Sequence, residues 1–223
     1  MILLVFSRRK QLTKIKKRNL ITYSNPESII SEQFRTIRTN IHFLNEDEKN
    51  NLLVVSSPGQ SEGKSTIIAN TAISIAQQKE KVLLIDGNLR NPTIHQLFKV
   101  TNEVGLTDVL SEKTPLCEAI TKCNINNLDL LTSGPIPLDP AELLESEKMK
   151  ELLSHIKPLY DLILVDSPSV LEVTDTKVLA NLCDGVILVV QKEKTKLEAA
   201  QESKKVLEFA KAPLVGVIVN QVS

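Results

Sequence analysis

Cysteine is scarce in this chain, which has three among its 223 residues: Cys117, Cys123 and Cys183. Their number is odd and no two have Cys-x-x-Cys spacing, so the sequence predicts neither a disulfide framework nor a zinc site. An iron–sulfur reductase is excluded as well, because no pair of thiolates is placed to ligate a cluster. We expect the three thiols to be buried or half-buried structural groups.

Long apolar runs are also lacking near the start of the chain. The run at residues 2–6 is far shorter than the roughly 20 residues that span a bilayer. A secretory signal places its positive charges before its apolar stretch, whereas Arg8, Arg9 and Lys10 follow it here. We therefore expect no membrane-crossing segment and a cytoplasmic location.

An excess of one sign of charge is absent from the whole chain, because 27 Lys and Arg balance 27 Asp and Glu. This balance disfavours a wholly basic nucleic-acid binder and an acidic disordered chain. The charge is uneven, however, because residues 1–40 carry a net +7 and the remainder a net −7. Seven Lys and Arg lie between Arg8 and Arg18 without interleaved aromatic residues, which argues against nucleic acid. This basic segment is interpreted either as a solvated tail or as a contact with an anionic membrane surface or an adaptor's acidic tail.

A hydrophobic content of 42% predicts a globular protein with a real core. From residue 52 onward, short apolar runs alternate with helix-length segments. Six runs are predicted strands: 52–56, 82–86, 128–132, 162–166, 186–190 and 214–220. These runs do not alternate polar with apolar residues, so both faces of the strands should be covered. We predict an α/β fold with a doubly wound, mostly parallel sheet.

A helical pattern follows the segment Asn25-Pro26-Glu27, which is predicted to supply a cap and a first-turn proline. One stripe of this helix is apolar and consists of Ile30, Phe34, Ile37, Ile41 and Leu44. The opposite side carries Glu32, Arg35 and Arg38, each three residues apart. From their spacing alone, these charges are a solvated face with a helical ion pair.

One decapeptide directly follows the first predicted strand and precedes a helical run at residues 67–78. It reads Ser57-Pro58-Gly59-Gln60-Ser61-Glu62-Gly63-Lys64-Ser65-Thr66. In a phosphate loop of this kind, backbone N–H groups and the helix N-terminus bind phosphates, Lys64 adds positive charge and the Ser65 hydroxyl ligates Mg²⁺. The full pattern has a glycine where this chain has Pro58, with Gly59 one place later, so the loop is a variant. The motif predicts a P-loop NTPase fold, with a basic flexible arm at residues 1–24 and one P-loop domain at residues 25–223.

Two aspartates, Asp86 and Asp166, end predicted strands. In a doubly wound sheet ligands bind outside the carboxyl ends of the strands, so both carboxylates should converge on phosphates held by Lys64. They are candidate Mg²⁺ ligands and general bases. The alternative is that each begins a turn or caps a helix.

Together, these residues resemble the bacterial protein-tyrosine kinases of capsule and exopolysaccharide operons, over residues 31–220. The resemblance rests on the phosphate loop, on a D-x-D-x-R-like segment at residues 86–93, and on the strand that ends in Asp166. A stretch at residues 131–144 and the helical pattern Glu32-x-x-Arg35-x-x-Arg38 also match the family.

This resemblance implies transfer of the γ-phosphoryl group of ATP to tyrosine hydroxyls, with ATP and Mg²⁺ as cofactors. Lys64, Asp86 and Asp166 would be catalytic, and Ser65 would join the two aspartates as metal ligands. The nucleotide would be bound by Gly59, Ser61, Glu62, Gly63, Lys64, Ser65, Thr66, Arg90 and Asn220. Few side chains suffice, because phosphoryl transfer depends mostly on positioning and charge neutralisation.

The resemblance also implies partners. Glu32, Arg35 and Arg38 would join subunits into a homo-oligomeric ring. A separate transmembrane adaptor would activate the kinase at the inner face of the cell membrane, and its substrates would be protein tyrosines.

Three features depart from the family pattern. Asn88 replaces an aspartate of the D-x-D-x-R motif, which predicts weaker Mg²⁺ affinity or a slower chemical step. Ser169 replaces a proline, a milder change to loop stiffness. The family's tyrosine-rich tail is missing from this sequence, which contains only Tyr23 and Tyr160. We expect Tyr160 to be structural and Tyr23 to be the accessible self-acceptor.

Two alternatives stay open. A partitioning or cell-division ATPase shares this architecture but usually carries a lysine where this chain has Gly59. A catalytically weakened, nucleotide-binding regulatory subunit fits Asn88 and the missing tail. Nucleotide turnover distinguishes these functions.

Overall fold

The computed structural model describes residues 2–7, 20–44 and 51–221. Within them, the strands are β1 (Ile2–Ser7), β2 (Leu52–Ser56), β3 (Val82–Asp86), β4 (Ile120–Lys122), β5 (Leu128–Leu131), β6 (Leu162–Asp166), β7 (Gly185–Gln191) and β8 (Leu214–Gln221). The helices are α1 (Ile21–Ser24), α2 (Ile29–Leu44), α3 (Lys64–Ala76), α4 (Ile94–Phe98), α5 (Leu106–Leu110), α6 (Leu116–Ala119), α7 (Pro140–Glu145), α8 (Glu147–Ile156), α9 (Asp175–Leu182) and α10 (Leu197–Phe209), with a 3₁₀ helix at Lys157–Leu159. Of the helices in this described part of the chain, none combines the length and hydrophobicity that crossing a bilayer requires.

All eight strands form one sheet in the order β1-β8-β7-β2-β6-β3-β5-β4. Neighbouring strands are parallel except for β4, which runs antiparallel to β5. Because β2, β6 and β3 are adjacent and parallel, their carboxyl ends meet at one edge of the sheet. The prediction of a mostly parallel α/β sheet is confirmed.

Successive residues of the central strands pack into two separate hydrophobic cores. Leu52 and Val54 belong to one core, whereas Leu53 and Val55 belong to the other. Residues of α2, α3 and α4 cover the second core, and residues of α5 to α10 cover the first. Burial on both faces explains why the strand sequences are continuous apolar runs.

The six predicted strands are all present, with ends that differ from the prediction by at most one residue. Two further strands, β1 and β4, were not predicted. β4 has only three residues at the edge of the sheet, too few for a recognisable pattern. β1 pairs with β8 in register, from Ile2 opposite Gly216 to Ser7 opposite Gln221.

The segment predicted as a flexible arm, residues 1–24, contains two regular elements, β1 and α1. Thr22 of α1 is buried, and its N–H donates to Oδ1 of Asn70 at 3.0 Å. Its carbonyl accepts from Nε2 of Gln77 at 3.2 Å, so α1 packs against α3. Residues 8–19, which hold the basic segment, lie outside the described residues.

The helix predicted after residue 25 is α2, which begins later than expected, at Ile29. Oγ of Ser28 accepts from the N–H of Ser31 at 3.1 Å, so Ser28 supplies the cap. Pro26 lies in the preceding turn, so the prediction that it occupies the first helical turn is wrong. The apolar stripe is confirmed, since Phe34, Ile37 and Ile41 are buried.

Candidate functional site

The phosphate loop joins β2 to α3. Gly63, just before α3, has a left-handed φ of +93°. A Cβ at this position would lie 2.3 Å from Nδ2 of Asn220, so glycine is required by both backbone conformation and space. That amide donates to the carbonyl of Glu62 at 2.9 Å. Asn220, predicted as a nucleotide contact, therefore supports the loop from β8.

The buried carboxylate of Glu62 organises the loop from within. It accepts from the N–H of Gly59 at 3.0 Å and from the hydroxyl of Thr195. Oγ1 of Thr195 in turn accepts from the N–H of Gln191 at 2.8 Å, which ties the phosphate loop to the end of β7. Thr195 was not predicted, because 133 residues separate it from Glu62 and no local pattern marks the pair.

A cleft of about 330 Å³ lies against the phosphate loop, a volume that suits a small-molecule ligand. Six of the predicted nucleotide-binding residues line it: Ser61, Gly63, Lys64, Ser65, Thr66 and Arg90. Asn88, Ser169 and Glu172 line it too. Nζ of Lys64 lies 3.5 Å from Oγ of Ser65, so an ammonium group and a hydroxyl share the loop side of the cleft.

The carboxylates of Asp86 and Asp166 are fully buried at paired positions of β3 and β6. Oδ2 of Asp86 accepts from the N–H groups of Thr93 and Ile94, both at 2.9 Å. These N–H groups are at the N-terminus of α4, so Asp86 does cap a helix, as the alternative interpretation expects. The same carboxylate also stands beside Asp166, so the two aspartates meet at this edge of the sheet, although neither is among the residues that line the cleft with Lys64.

Electrostatics couple the two aspartates. Burial and, second, the charge of Asp166 raise the pKa of Asp86 to about 7, against the opposing effect of the backbone N–H donors. Neighbouring carboxylates resist simultaneous ionisation unless a cation neutralises them.

The donor set fits Mg²⁺, because Ser65, Asp86 and Asp166 offer only oxygen ligands. Mg²⁺ is usually held by one or two carboxylates together with substrate phosphates. Within residues 2–7, 20–44 and 51–221, no cluster of three or more His, Cys, Asp or Glu side chains could hold a metal alone.

Arg90 is held at the cleft by Asp175, a buried residue at the start of α9 that was not predicted. Nε and Nη2 of Arg90 donate to the two carboxylate oxygens of Asp175 at 2.8 and 2.9 Å. These hydrogen bonds raise the pKa of Arg90. Such a bidentate contact between guanidinium and carboxylate fixes the orientation of the guanidinium.

Asn88 organises the turn after β3. Its N–H donates to Oδ1 of Asp86 at 3.3 Å, and its own Oδ1 accepts from the N–H of Asn91 at 3.3 Å. The neutral amide thus lines the cleft where the family pattern has a carboxylate.

The three charged residues of α2 differ in their contacts. Arg35 pairs with Glu32 and donates from Nη2 to the carbonyl of Pro26 at 3.0 Å. Arg38 is half-buried and donates from Nη1 to the carbonyl of Ser74 on α3 at 2.9 Å. Burial lowers the pKa of Arg38. The interpretation as a solvated face therefore holds for Glu32 and Arg35 and is wrong for Arg38, which attaches α2 to the last turn of α3.

The two tyrosines also differ. Tyr160 is buried and its hydroxyl donates to Oδ2 of Asp129 at 2.9 Å, which confirms its structural role. Tyr23 is 52% exposed.

The three cysteines only partly follow the expectation of burial. Cys183 is buried and Cys123 half-buried. Cys117 is exposed, because α6 turns only Ala119 into the core. The expectation is therefore wrong for Cys117.

Several known proteins are similar to this chain. Residues 53–213 match a protein-family model described as an AAA domain. The chain is 45% identical over 212 residues to Tyrosine-protein kinase YwqD of Bacillus subtilis (strain 168), covering 95% of this chain and 90% of that protein. It is 36% identical over 193 residues to Tyrosine-protein kinase CpsD of Streptococcus agalactiae serotype Ia, covering 86% and 82% respectively.

Solved structures are similar as well. The kinase domain of Escherichia coli tyrosine kinase ETK superposes with a TM-score of 0.89 at 31% identity, covering 99% of this chain and 89% of that chain. The chimerical protein CapA2B2 gives a TM-score of 0.87 at 36% identity, covering 92% and 90%. The septum site-determining protein MinD from Pyrococcus horikoshii OT3, complexed with Mg-ADP, gives 0.67 at 26% identity, covering 77% and 70%.

Proposed function

Because this chain belongs to the bacterial tyrosine-protein kinases, we propose that its cleft binds Mg·ATP and that the residues around it direct the γ-phosphoryl group to protein tyrosines. The observation that supports this proposal is a cleft lined by the phosphate loop together with Asn88 and Ser169, which follow the paired aspartates Asp86 and Asp166 at the ends of β3 and β6. Nucleotide binding itself follows from the family and from the P-loop architecture.

In this mechanism Lys64 supplies positive charge to the β- and γ-phosphate oxygens, while backbone N–H groups of the loop hold them in place. Bound Mg²⁺, held by Ser65, Asp86 and Asp166, would neutralise charge on the phosphates. Asp86 either accepts the proton of the attacking tyrosine hydroxyl or orients the metal shell.

The remaining predicted nucleotide residues act in two ways. Ser61, Gly63, Thr66 and Arg90 line the cleft, and this position supports a direct contact of these residues with the nucleotide. The side chains of Glu62 and Asn220, and the N–H of Gly59 that bonds to Glu62, shape the loop. Glu62, Asn220 and Gly59 therefore affect ATP affinity indirectly, through the conformation of the phosphate loop.

We also propose the partners that the family resemblance implies. The exposed Glu32–Arg35 pair on α2 supports subunit contacts in a homo-oligomeric ring. The net +7 charge of residues 1–40 supports recruitment to a transmembrane adaptor at the anionic inner face of the cell membrane. The process regulated there is capsular or exopolysaccharide biosynthesis, through phosphorylation of protein tyrosines.

A regulatory subunit with weakened catalysis is the second candidate function. Asn88 favours it, because this neutral side chain lines the cleft where an aspartate would add negative charge for Mg²⁺. The partitioning-ATPase alternative is disfavoured, because the relatives that match at 45% and 36% identity are named tyrosine-protein kinases. Partitioning ATPases usually carry a lysine at the position of Gly59, so this glycine also argues against that alternative.

The test is transfer of label from γ-labelled Mg·ATP to a poly-Glu/Tyr peptide, with and without candidate adaptor tails. We expect phosphotyrosine after acid hydrolysis with the natural chain and none with Lys64→Met. Lys150→Met, a change of an exposed lysine on α8, is the matched control and should keep full activity. Nucleotide binding without labelled tyrosine under every condition would overturn the kinase proposal in favour of the regulatory subunit.

A further inference from the structure

Two large apolar side chains stand exposed on the segment that joins β5 to α7 (the β5–α7 loop, residues 132–139). Ile136 is 65% exposed and Leu138 is fully exposed. A single exposed apolar residue needs no explanation, but neighbouring ones mark a surface that another molecule covers. The loop is therefore a candidate interaction site.

The start of the β5–α7 loop is anchored to the body of the domain. The N–H of Gly134 donates to Oδ1 of Asn102 at 3.0 Å, and Nδ2 of Asn102 donates to the carbonyl of Gly134 at 2.9 Å. Gly134 has a left-handed φ of +73°, and a Cβ there would lie 2.7 Å from Oδ2 of the buried Asp108. The chain consequently leaves the sheet in a fixed direction.

The end of the loop is anchored as well. Oδ1 of Asp139 accepts from the N–H of Glu142 at 3.1 Å, which caps α7, and the helix begins with the buried Pro140. Between the two anchors, Pro135 and Pro137 each have a restricted φ. The exposed apolar side chains are thus presented by a stiff loop, so binding to them costs little conformational entropy.

The sheet topology places this loop beside the nucleotide cleft. β5 is parallel to β3 and lies next to it, so the loop emerges at the same edge of the sheet as the turn after β3. That turn carries Asn88 and Arg90, which line the cleft. The hydrogen bonds to Asp175 raise the pKa of Arg90, and the charge of Asp139 adds to this effect. The end of the loop therefore lies within electrostatic reach of the cleft.

The charges around the loop indicate what it binds. Asp139 and Glu142 are exposed where the loop joins α7, and Glu172 adds an exposed carboxylate to the lining of the cleft. A ligand that matches both the apolar side chains and these carboxylates carries apolar and basic groups together. A polypeptide can do so while it continues along the same edge of the sheet into the cleft.

We propose that the β5–α7 loop is the docking site for the protein substrate, and that Ile136 and Leu138 select tyrosines with apolar and basic neighbours. The proposal rests on the proposed kinase function and adds a substrate class to it. Apolar side chains of the substrate pack against the loop, while its Lys or Arg side chains lie near Asp139 and Glu172. The loop takes no part in phosphoryl transfer, so it should affect KM and not kcat.

Two synthetic peptides test this selection. In the first, a single tyrosine is flanked on each side by leucine and lysine, and in the second every leucine is replaced by serine. We expect the natural chain to have a KM about 10-fold lower for the leucine peptide, because burial of such a side chain favours binding by that factor or more.

A chain with Ile136→Ser and Leu138→Ser should lose this preference. Its KM for the leucine peptide should rise to that for the serine peptide, with kcat for the leucine peptide unchanged. Both side chains are exposed, so their removal leaves the two cores intact. Phe209→Ser, a change of a 92% exposed residue at the end of α10, is the matched control and should keep the preference.

Poly-Glu/Tyr peptide, assayed in parallel, distinguishes the possible failures. If it is labelled but the natural chain shows no preference, or the double variant keeps one, the docking site is wrong and the kinase function stands. If no peptide is labelled, the kinase function fails and the docking site fails with it. A lower oligomer mass of the double variant in light scattering, with the preference retained, would assign the loop to contacts between copies instead.

Discussion

At the residue scale, Asp86 combines two tasks that the sequence presents as alternatives. Its carboxylate caps α4 by accepting hydrogen bonds from the N–H groups of Thr93 and Ile94. It also lies beside Asp166, where it is a candidate metal ligand. The backbone donors stabilise the ionised form, whereas burial and the neighbouring carboxylate destabilise it. The second effect is larger, so the carboxylate titrates near neutral pH rather than near pH 4.

This imbalance predicts how stability depends on pH. In the unfolded chain an aspartate has a pKa of about 3.9, and in the folded chain that of Asp86 is about 7. The folded state therefore binds more protons between these values. The contribution of Asp86 is fully present below pH 4 and is lost as pH rises through 7.

Asp86→Asn should remove this dependence, because its amide does not ionise. We expect the variant to gain stability relative to the natural chain as pH rises from 5 to 8. Urea unfolding without nucleotide at both pH values measures the difference. An equal difference at pH 5 and pH 8 would contradict the prediction.

At the element scale, the phosphate loop is supported by strands on one side of β2. Asn220 of β8 bonds to the carbonyl of Glu62, and Thr195 after β7 bonds to its carboxylate. β7 lies next to β2 and β8 lies next to β7, so the sheet order places both supports behind the loop.

Thr195→Val should weaken ATP binding, because it leaves the buried Glu62 carboxylate without the hydroxyl donor. A hydrogen bond to a charged group contributes about 1.5–3 kcal/mol, so we expect ATP affinity to fall by about 10-fold or more. Isothermal titration calorimetry with Mg·ATP measures this loss. Thr195→Ser is the matched control and should bind as the natural chain does, whereas equal affinity of the Val and Ser variants would refute the role of the hydroxyl.

The contacts of α2 predict that its two arginines affect different properties. Arg38 donates to the carbonyl of Ser74 in the last turn of α3, where carbonyls lack helical partners. Arg38→Ala should cost about 1–3 kcal/mol of unfolding free energy, with a fall in melting temperature of roughly 2–4 °C per kcal/mol.

Arg35→Ala removes an exposed ion pair and an exposed hydrogen bond to the carbonyl of Pro26, and it should change stability by less than about 1 kcal/mol. If α2 forms the ring interface, Arg35→Ala also dissociates the oligomer while the subunit stays folded. Light scattering on a sizing column reports the mass, and calorimetry reports the melting temperature. An oligomer that is unchanged by Arg35→Ala would count against the interface.

At the scale of the whole molecule, nucleotide binding should stabilise the entire domain. The cleft joins loops that follow β2, β3 and β6, and these loops lose their mutual arrangement on unfolding. Only the folded chain can therefore bind the nucleotide, and binding shifts the unfolding equilibrium.

Mg·ATP at about 100 times its dissociation constant should add about 2.7 kcal/mol, equivalent to roughly 5–10 °C in melting temperature. ATP with a chelator should add less, because Ser65 and the two aspartates then hold no metal. Scanning calorimetry of the natural chain and of Lys64→Met measures both effects. An equal shift in Lys64→Met would show that the ligand binds elsewhere.

Much of the architecture could be predicted from the sequence. Strands buried on both faces must be continuously apolar, so β2, β3 and β6 are visible as uninterrupted runs. The phosphate loop is equally visible, because its glycine, lysine and serine occur in adjacent positions. Asp86 and Asp166 could be placed near that loop, because parallel strands end at the same edge of a sheet.

What the sequence by itself determined is therefore every feature that local patterns encode: the predicted strands, the amphipathic stripe of α2 and the chemistry of the phosphate loop. Only the tertiary structure decided the long-range contacts, since Glu62 and Thr195 lie 133 residues apart, Arg90 and Asp175 lie 85 apart, and Arg38 and Ser74 lie 36 apart. These hydrogen bonds depend on which strands become neighbours and where each loop emerges. Side chains near in space but distant in the chain leave no periodic trace in the sequence, so their pairing is fixed only when the sheet assembles.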